Sequence, residues 1–108
     1  MLIELLWWAG CPSYEDALAG LRAALAELGH DPDAVVSREL RTDDEADTER
    51  FAGSPTIKVA GHDLFPQSDA PTGLTCRVYR LRDGRYSPTP DPDDLRDALR
   101  AALGKEHP

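Results

Sequence analysis

The chain opens on a nearly unbroken apolar run, Leu2-Ile3-Glu4-Leu5-Leu6-Trp7-Trp8, which stops at Ala9-Gly10. A short run of this kind, ended by a glycine, predicts a buried strand. Alternation along it sends Trp7 and Trp8 to opposite faces. The period then changes. Tyr14, Leu18, Leu21, Leu25 and Leu28 fall on one helical stripe, widened by Ala17 and Ala24, and Gly29 ends it. Pro12 suits the first helical position, where a missing N–H costs nothing.

Past a turn at Asp31-Pro32-Asp33, the segment Ala34–Leu40 has strand character. Thr42-Asp43-Asp44-Glu45 has the form of a capping box and predicts a short polar helix from Asp43 to about Phe51. Gly53 closes that helix, Thr56–Val59 reads as a strand, and Gly61 turns the chain into a short returning strand at Asp63–Phe65. Pro66–Gly73 is a polar loop. Leu74–Leu81 reads as a further strand, with Asp83-Gly84 as a hairpin signal and Arg85–Ser87 pairing back. A last helix starts at Asp91-Pro92, carries Leu95, Ala98, Leu99, Ala102 and Leu103 on one stripe, and ends at Gly104. The order is β-α-β-α-β-β-(β)-α, an α/β domain in which helices flank a mixed central sheet. Its first two strands are expected to be parallel.

The 108 residues, 41% of them apolar, suffice for one domain (1–108) with a modest core. The net charge of −8 repels phosphate backbones, which argues against nucleic acid as a partner. No apolar run approaches the ~20 residues that span a bilayer, and the N-terminal run lacks the basic flank of a signal peptide. No membrane partner and a cytoplasmic location are therefore expected. Arg80, Arg82 and Arg85 are read as balancing nearby acids, and His62 and Arg77 as solvated. Two cysteines and three scattered histidines (His30, His62, His107) give no zinc spacing, and nothing calls for a cofactor or a resident metal.

Candidate chemistry centres on Cys11. At the junction of strand and helix it is expected to be the N-cap, its sulfur facing the amides of Ser13 and Tyr14. Unpaired N–H groups and the helix dipole there favour thiolate. Glu15 and Asp16 oppose that by like-charge repulsion. Tyr14 is expected to pack rather than to donate its hydroxyl toward the sulfur. In a reducing cytosol a pair of cysteines is redox-active or ligand-binding rather than a permanent staple.

The segments Gly10-Cys11-Pro12-Ser13-Tyr14 and Gly53-Ser54-Pro55-Thr56-Ile57, in this order of elements, resemble the thioredoxin fold over nearly the whole chain. The resemblance makes Cys11 the nucleophile and Pro55 a cis-proline. It gives Pro12, Ser13, Tyr14, Ser54, Pro55 and Thr56 a part in substrate binding, with the backbone before Pro55 open to an extended partner. A closer resemblance is to small bacterial thioredoxin family proteins with a C-P-x-x turn and a late run that stands here as Gly73-Leu74-Thr75-Cys76-Arg77-Val78-Tyr79. Some members of that group are called alkylmercury lyases. The chain departs from the C-x-x-C pattern, since Tyr14 occupies the place of the second cysteine. The resemblance then leaves Cys76 as candidate resolving thiol, near Cys11 if the Asp63–Phe65 strand returns toward it and out of reach if one strand shifts. The implied function is thiol–disulfide exchange with a protein or small-molecule thiol or disulfide. The alternatives are binding or cleavage of a soft metal or organomercurial by Cys11 and Cys76, with Asp16 or Asp69 as candidate carboxylate, and a non-catalytic binding module.

Overall fold

Strand β1 (Ile3–Trp7) lies in the middle of the sheet, between β2 (Val35–Glu39) and β3 (Thr56–Val59), and β4 (His62–Asp63) adds the far edge of β3. This is a computed structural model, and it describes residues 2–67 and 70–104. β1 runs parallel to β2 and antiparallel to β3, and β3 pairs antiparallel with β4. The expected mixed sheet with flanking helices is therefore present.

Alternation along the strands divides the core in two. Ile3 and Leu5 of β1 and Ile57 and Val59 of β3 face one side. There they meet Leu21 and Leu25 of α1 (Tyr14–Glu27) and Leu95, Leu99 and Leu103 of α3 (Pro92–Gly104). On the other side Leu6 packs with Leu40, Phe51 and Ala46 of α2 (Asp43–Thr48), and Trp8 and Leu74 lean on that cluster. The helical stripes read from the sequence are thus the faces that α1 and α3 bury. Gly29, at φ 80°, ends α1, and Asp91 caps α3 by accepting from the amide of Asp93 at 2.9 Å.

Three boundaries differ from expectation. The amide of Glu45 donates to Thr42 Oγ1, as in a capping box, but Glu45 reaches back to the amide of Arg41 rather than of Thr42. The α2 helix then ends at Thr48, before the expected Phe51. Arg50 turns left-handed (φ 52°) and lets Phe51 swing into the second cluster, where its burial outweighs another polar helical turn. Ala60 and Gly61 (φ 53° and 82°) make a two-residue turn, so pairing resumes at His62 instead of Asp63. The Leu64 amide still donates to the Ile57 carbonyl, and the Asp63 carboxylate accepts from the amide of Phe65 just beyond. Finally, the expected Leu74–Leu81 strand is broken. It makes one isolated bridge, Ser54 to Cys76, and then β5 (Tyr79–Arg80), whose hairpin with β6 (Tyr86–Ser87) lies outside the main sheet.

Arg82 pairs with Asp94 and Asp97, each at 2.7 Å, and Arg85 with Asp83, so these two arginines balance local acids, whereas Arg80 makes no ion pair among the described residues. No helix among the described residues is long and apolar enough to cross a membrane.

Charges also fix α2 to the sheet. Arg38 joins Glu4 (2.9 Å) to Glu49 (3.1 Å), and Lys58, buried in β3, donates to the Glu49 carboxylate (3.0 Å) and carbonyl (2.6 Å). Hydrogen bonds from Lys58, then from Arg38, hold the Glu49 carboxyl below its ordinary 4.5. A carboxylate held low when folded stabilises the chain above its unfolded pKa, and that contribution is lost as pH falls through the folded value. Glu49→Gln should therefore destabilise the protein at neutral pH. In urea titrations at a series of pH values, the gap to wild type should narrow as pH drops below 4.5.

Candidate functional site

Strand β1 ends at Trp7, and the chain turns at once: the Cys11 amide donates to the Trp8 carbonyl at 3.0 Å. That turn delays the helix to Tyr14, with Ser13 as N-cap in helical conformation and without a side-chain cap. Cys11 is consequently not the N-cap. Its sulfur is bonded to Cys76, and Ser13 Oγ lies 4.0 Å from it. The two cysteines are 65 positions apart in sequence, and their Cα atoms are 5.6 Å apart, within the span a disulfide bridges. Cys11 is 4% exposed, whereas Cys76 is an exposed residue.

Cys76 is held from both sides by Ser54. The Ser54 amide donates to the Thr75 carbonyl at 2.8 Å, and the Arg77 amide donates to the Ser54 carbonyl at 2.9 Å. The Ser54–Pro55 peptide is cis, in line with the resemblance. The backbone that the resemblance offers to an extended partner is here paired with the chain's own Thr75–Arg77.

Arg77, read from sequence as solvated, is buried at 3% exposure. One guanidinium nitrogen donates to Asp63 Oδ2 (2.8 Å) and Thr56 Oγ1 (3.2 Å), another to the Phe65 carbonyl, and the group lies 4.7 Å above the Tyr79 ring. Tyr79 in turn donates its hydroxyl to the Pro55 carbonyl, and burial pushes its pKa up, so it stays a neutral donor. Gly53 sits against this clamp at φ 126°. A Cβ there would come within 2.9 Å of Arg77 Cβ and 3.0 Å of its amide nitrogen. Sequence reasoning missed Arg77 and Tyr79, although alternation carried the signal: with Tyr79 inward, Arg77 faces inward too, and Cys76 and Val78 face out.

The residues around the disulfide divide by exposure. Pro12 is exposed, and Ser13 and Tyr14 are half-buried, whereas Ser54, Pro55 and Thr56 are fully buried. Ser54 Oγ accepts from the Trp8 amide (3.1 Å), and Thr56 Oγ1 donates to the Gly53 carbonyl (2.7 Å). Tyr14 packs, as expected, but its partner is Trp7, stacked at 3.9 Å between centroids and 11° between planes. Trp8, on the opposite face, covers Gly10 so closely that a Cβ there would lie 2.4 Å from its ring. Asp16 is exposed on α1, and Asp69 lies outside the described residues. Among the described residues no three His, Cys, Asp or Glu gather as a metal site.

Compared with family models, curated proteins and solved structures, the chain matches none.

If Arg77 positions Cys76, Arg77→Met should strand the Asp63 carboxylate and lower the unfolding free energy by about 3 kcal/mol in urea denaturation. The same variant, once reduced, should reclose the Cys11–Cys76 disulfide more slowly than wild type. Gly53→Ala should act in the same direction, at about 1–3 kcal/mol.

Proposed function

We propose that this chain is a thiol–disulfide redox protein on a thioredoxin-like scaffold, with Cys11 and Cys76 as its couple. One observation carries the reading: the only two cysteines of the sequence, far apart along it, meet in a disulfide at the turn between the first strand and the first helix. The chain thereby regains the two sulfurs that the missing C-x-x-C would have supplied, the second arriving from a late segment instead of from the turn.

The chemistry is exchange. Two thiols of a partner, protein or small molecule, reduce the disulfide and leave as a disulfide, passing two electrons to Cys11 and Cys76; the reverse reaction oxidises the protein. Pro12, Ser13 and Tyr14 form the surface beside the couple that such a partner would touch. Ser54, Pro55 and Thr56 act from beneath it, through the bridge to Cys76. In the cytoplasm, where this reading puts the chain, a disulfide cycles rather than staples.

The test is a redox titration in graded dithiothreitol buffers, with both cysteines followed by alkylation and mass spectrometry. Both should open together in one two-electron transition, with a slope of about 30 mV per tenfold change, at a potential above about −300 mV. Reduced protein should also reduce insulin disulfides, and Cys11→Ser and Cys76→Ser should each abolish that turnover. A disulfide that opens only below that range, or variants as active as wild type, would overturn the proposal.

A further inference from the structure

The two ends of the disulfide are unequal, and exchange has a direction. In thiol–disulfide exchange the attacking thiolate, the attacked sulfur and the departing sulfur line up, so the attacker must approach from behind the sulfur it attacks. Cys11 leaves little room for such an approach: the residue is 4% exposed, at the turn from β1 into α1. Cys76 is exposed, and so are its neighbours Thr75 and Val78, the latter by 59%. Arg77 and Tyr79 take the inward positions of this segment, which keeps Cys76 on the outward side.

We infer that Cys76 is the sulfur that meets the partner and that Cys11 is the departing thiolate. The inference rests on the redox reading above and reverses the order of attack that the resemblance implies. A partner thiolate attacks Cys76 Sγ; a sulfur–sulfur bond forms between partner and Cys76, the Cys11–Cys76 bond breaks, and its electron pair leaves on Cys11. A second partner thiolate then attacks the partner's sulfur of the mixed disulfide, releasing a partner disulfide and the Cys76 thiolate. Two thiols are oxidised, and one disulfide is reduced.

Cys11 is placed for the departing role. It lies just ahead of the amino end of the fourteen-residue α1, where the helix dipole favours negative charge, and the Ser13 hydroxyl stands 4.0 Å from its sulfur. A leaving thiolate that is better stabilised leaves faster. Glu15 and Asp16, in the first turn of the helix, oppose this charge.

The test uses the oxidised wild-type protein and glutathione as the probe thiol. After short reaction times the mixture is quenched in acid, the freed thiol is alkylated with N-ethylmaleimide, and the adducts are mapped by peptide mass spectrometry. Glutathione should sit on Cys76 and the maleimide on Cys11, in about tenfold or greater excess over the converse. Single-cysteine variants give a second reading that migration of the mixed disulfide does not affect. Towards glutathione disulfide, Cys11→Ser should react at least about tenfold faster than Cys76→Ser. Glutathione found on Cys11, with Cys76→Ser the faster variant, would overturn the inference while leaving the redox couple intact. A disulfide that neither glutathione nor dithiothreitol opens would overturn the redox reading, and this inference with it.

Discussion

A buried guanidinium has to find partners for its charge, and the region around the disulfide is arranged to supply them. Arg77 draws in the Asp63 carboxylate, the Thr56 hydroxyl and the Phe65 carbonyl and lies over the Tyr79 ring. Those partners come from β3, from β4 and the residues after it, and from β5. One side chain therefore ties the β3–β4 pair to β5, which no strand pairing joins to the main sheet. The alternative, a stranded charge in a water-poor interior, costs several kcal/mol, which makes the arrangement close to all-or-none. Gly53 is the steric complement: only a residue without Cβ lets the Arg77 backbone approach so closely.

The position of Cys76 follows from that clamp. The segment from Thr75 to Arg77 meets Ser54 through a single bridge, too little to hold a strand by pairing alone. With Arg77 anchored beneath and Tyr79 tied to the Pro55 carbonyl, Cys76 faces outward at one register only, the one that reaches Cys11. The redox reading and its direction of attack both rest on this. The same anchors bury Arg77 and leave Cys76 open, so the asymmetry between the sulfurs is a by-product of how the segment is pinned.

Local pattern sufficed for the elements whose stabilisation is local or whose apolar stripe is long. The Tyr14–Leu28 stripe, the Leu95–Leu103 stripe and the Thr56–Val59 strand stand where hydrophobic spacing puts them. The Asp91-Pro92 cap and the Asp83-Gly84 hairpin follow from side-chain chemistry acting over a few residues. What the sequence hid depends on distant partners. The apolar content of Leu74–Leu81 reads as one strand, but the neighbour of its first half is one residue of a loop, so pairing breaks after one bridge and resumes only at Tyr79–Arg80. Arg77 reads as solvated because arginine is seldom buried without a partner, and Asp63 is fourteen positions away. At the site, Cys11 and Cys76 stood out by residue type and by resemblance. The missing N-cap role of Cys11 was not legible, because it turns on a single backbone bond from its amide to Trp8.

The disulfide also gives the chain a covalent topology. Residues 11 to 76 form a closed ring that contains α1, β2, α2, β3 and β4, while β1 and α3 are tails on either side of it. The central strand of the sheet is thus a tail laid between two ring members, β2 and β3. Denatured oxidised protein is a lariat rather than an open coil, and a ring of this size removes about 4 kcal/mol of unfolded-state entropy in the chain-entropy model. Folding and oxidation are then thermodynamically linked. Whatever stabilises the folded oxidised chain more than the folded reduced one makes the ring harder to open by reduction, and each reduction leaves a domain closer to its own unfolding threshold.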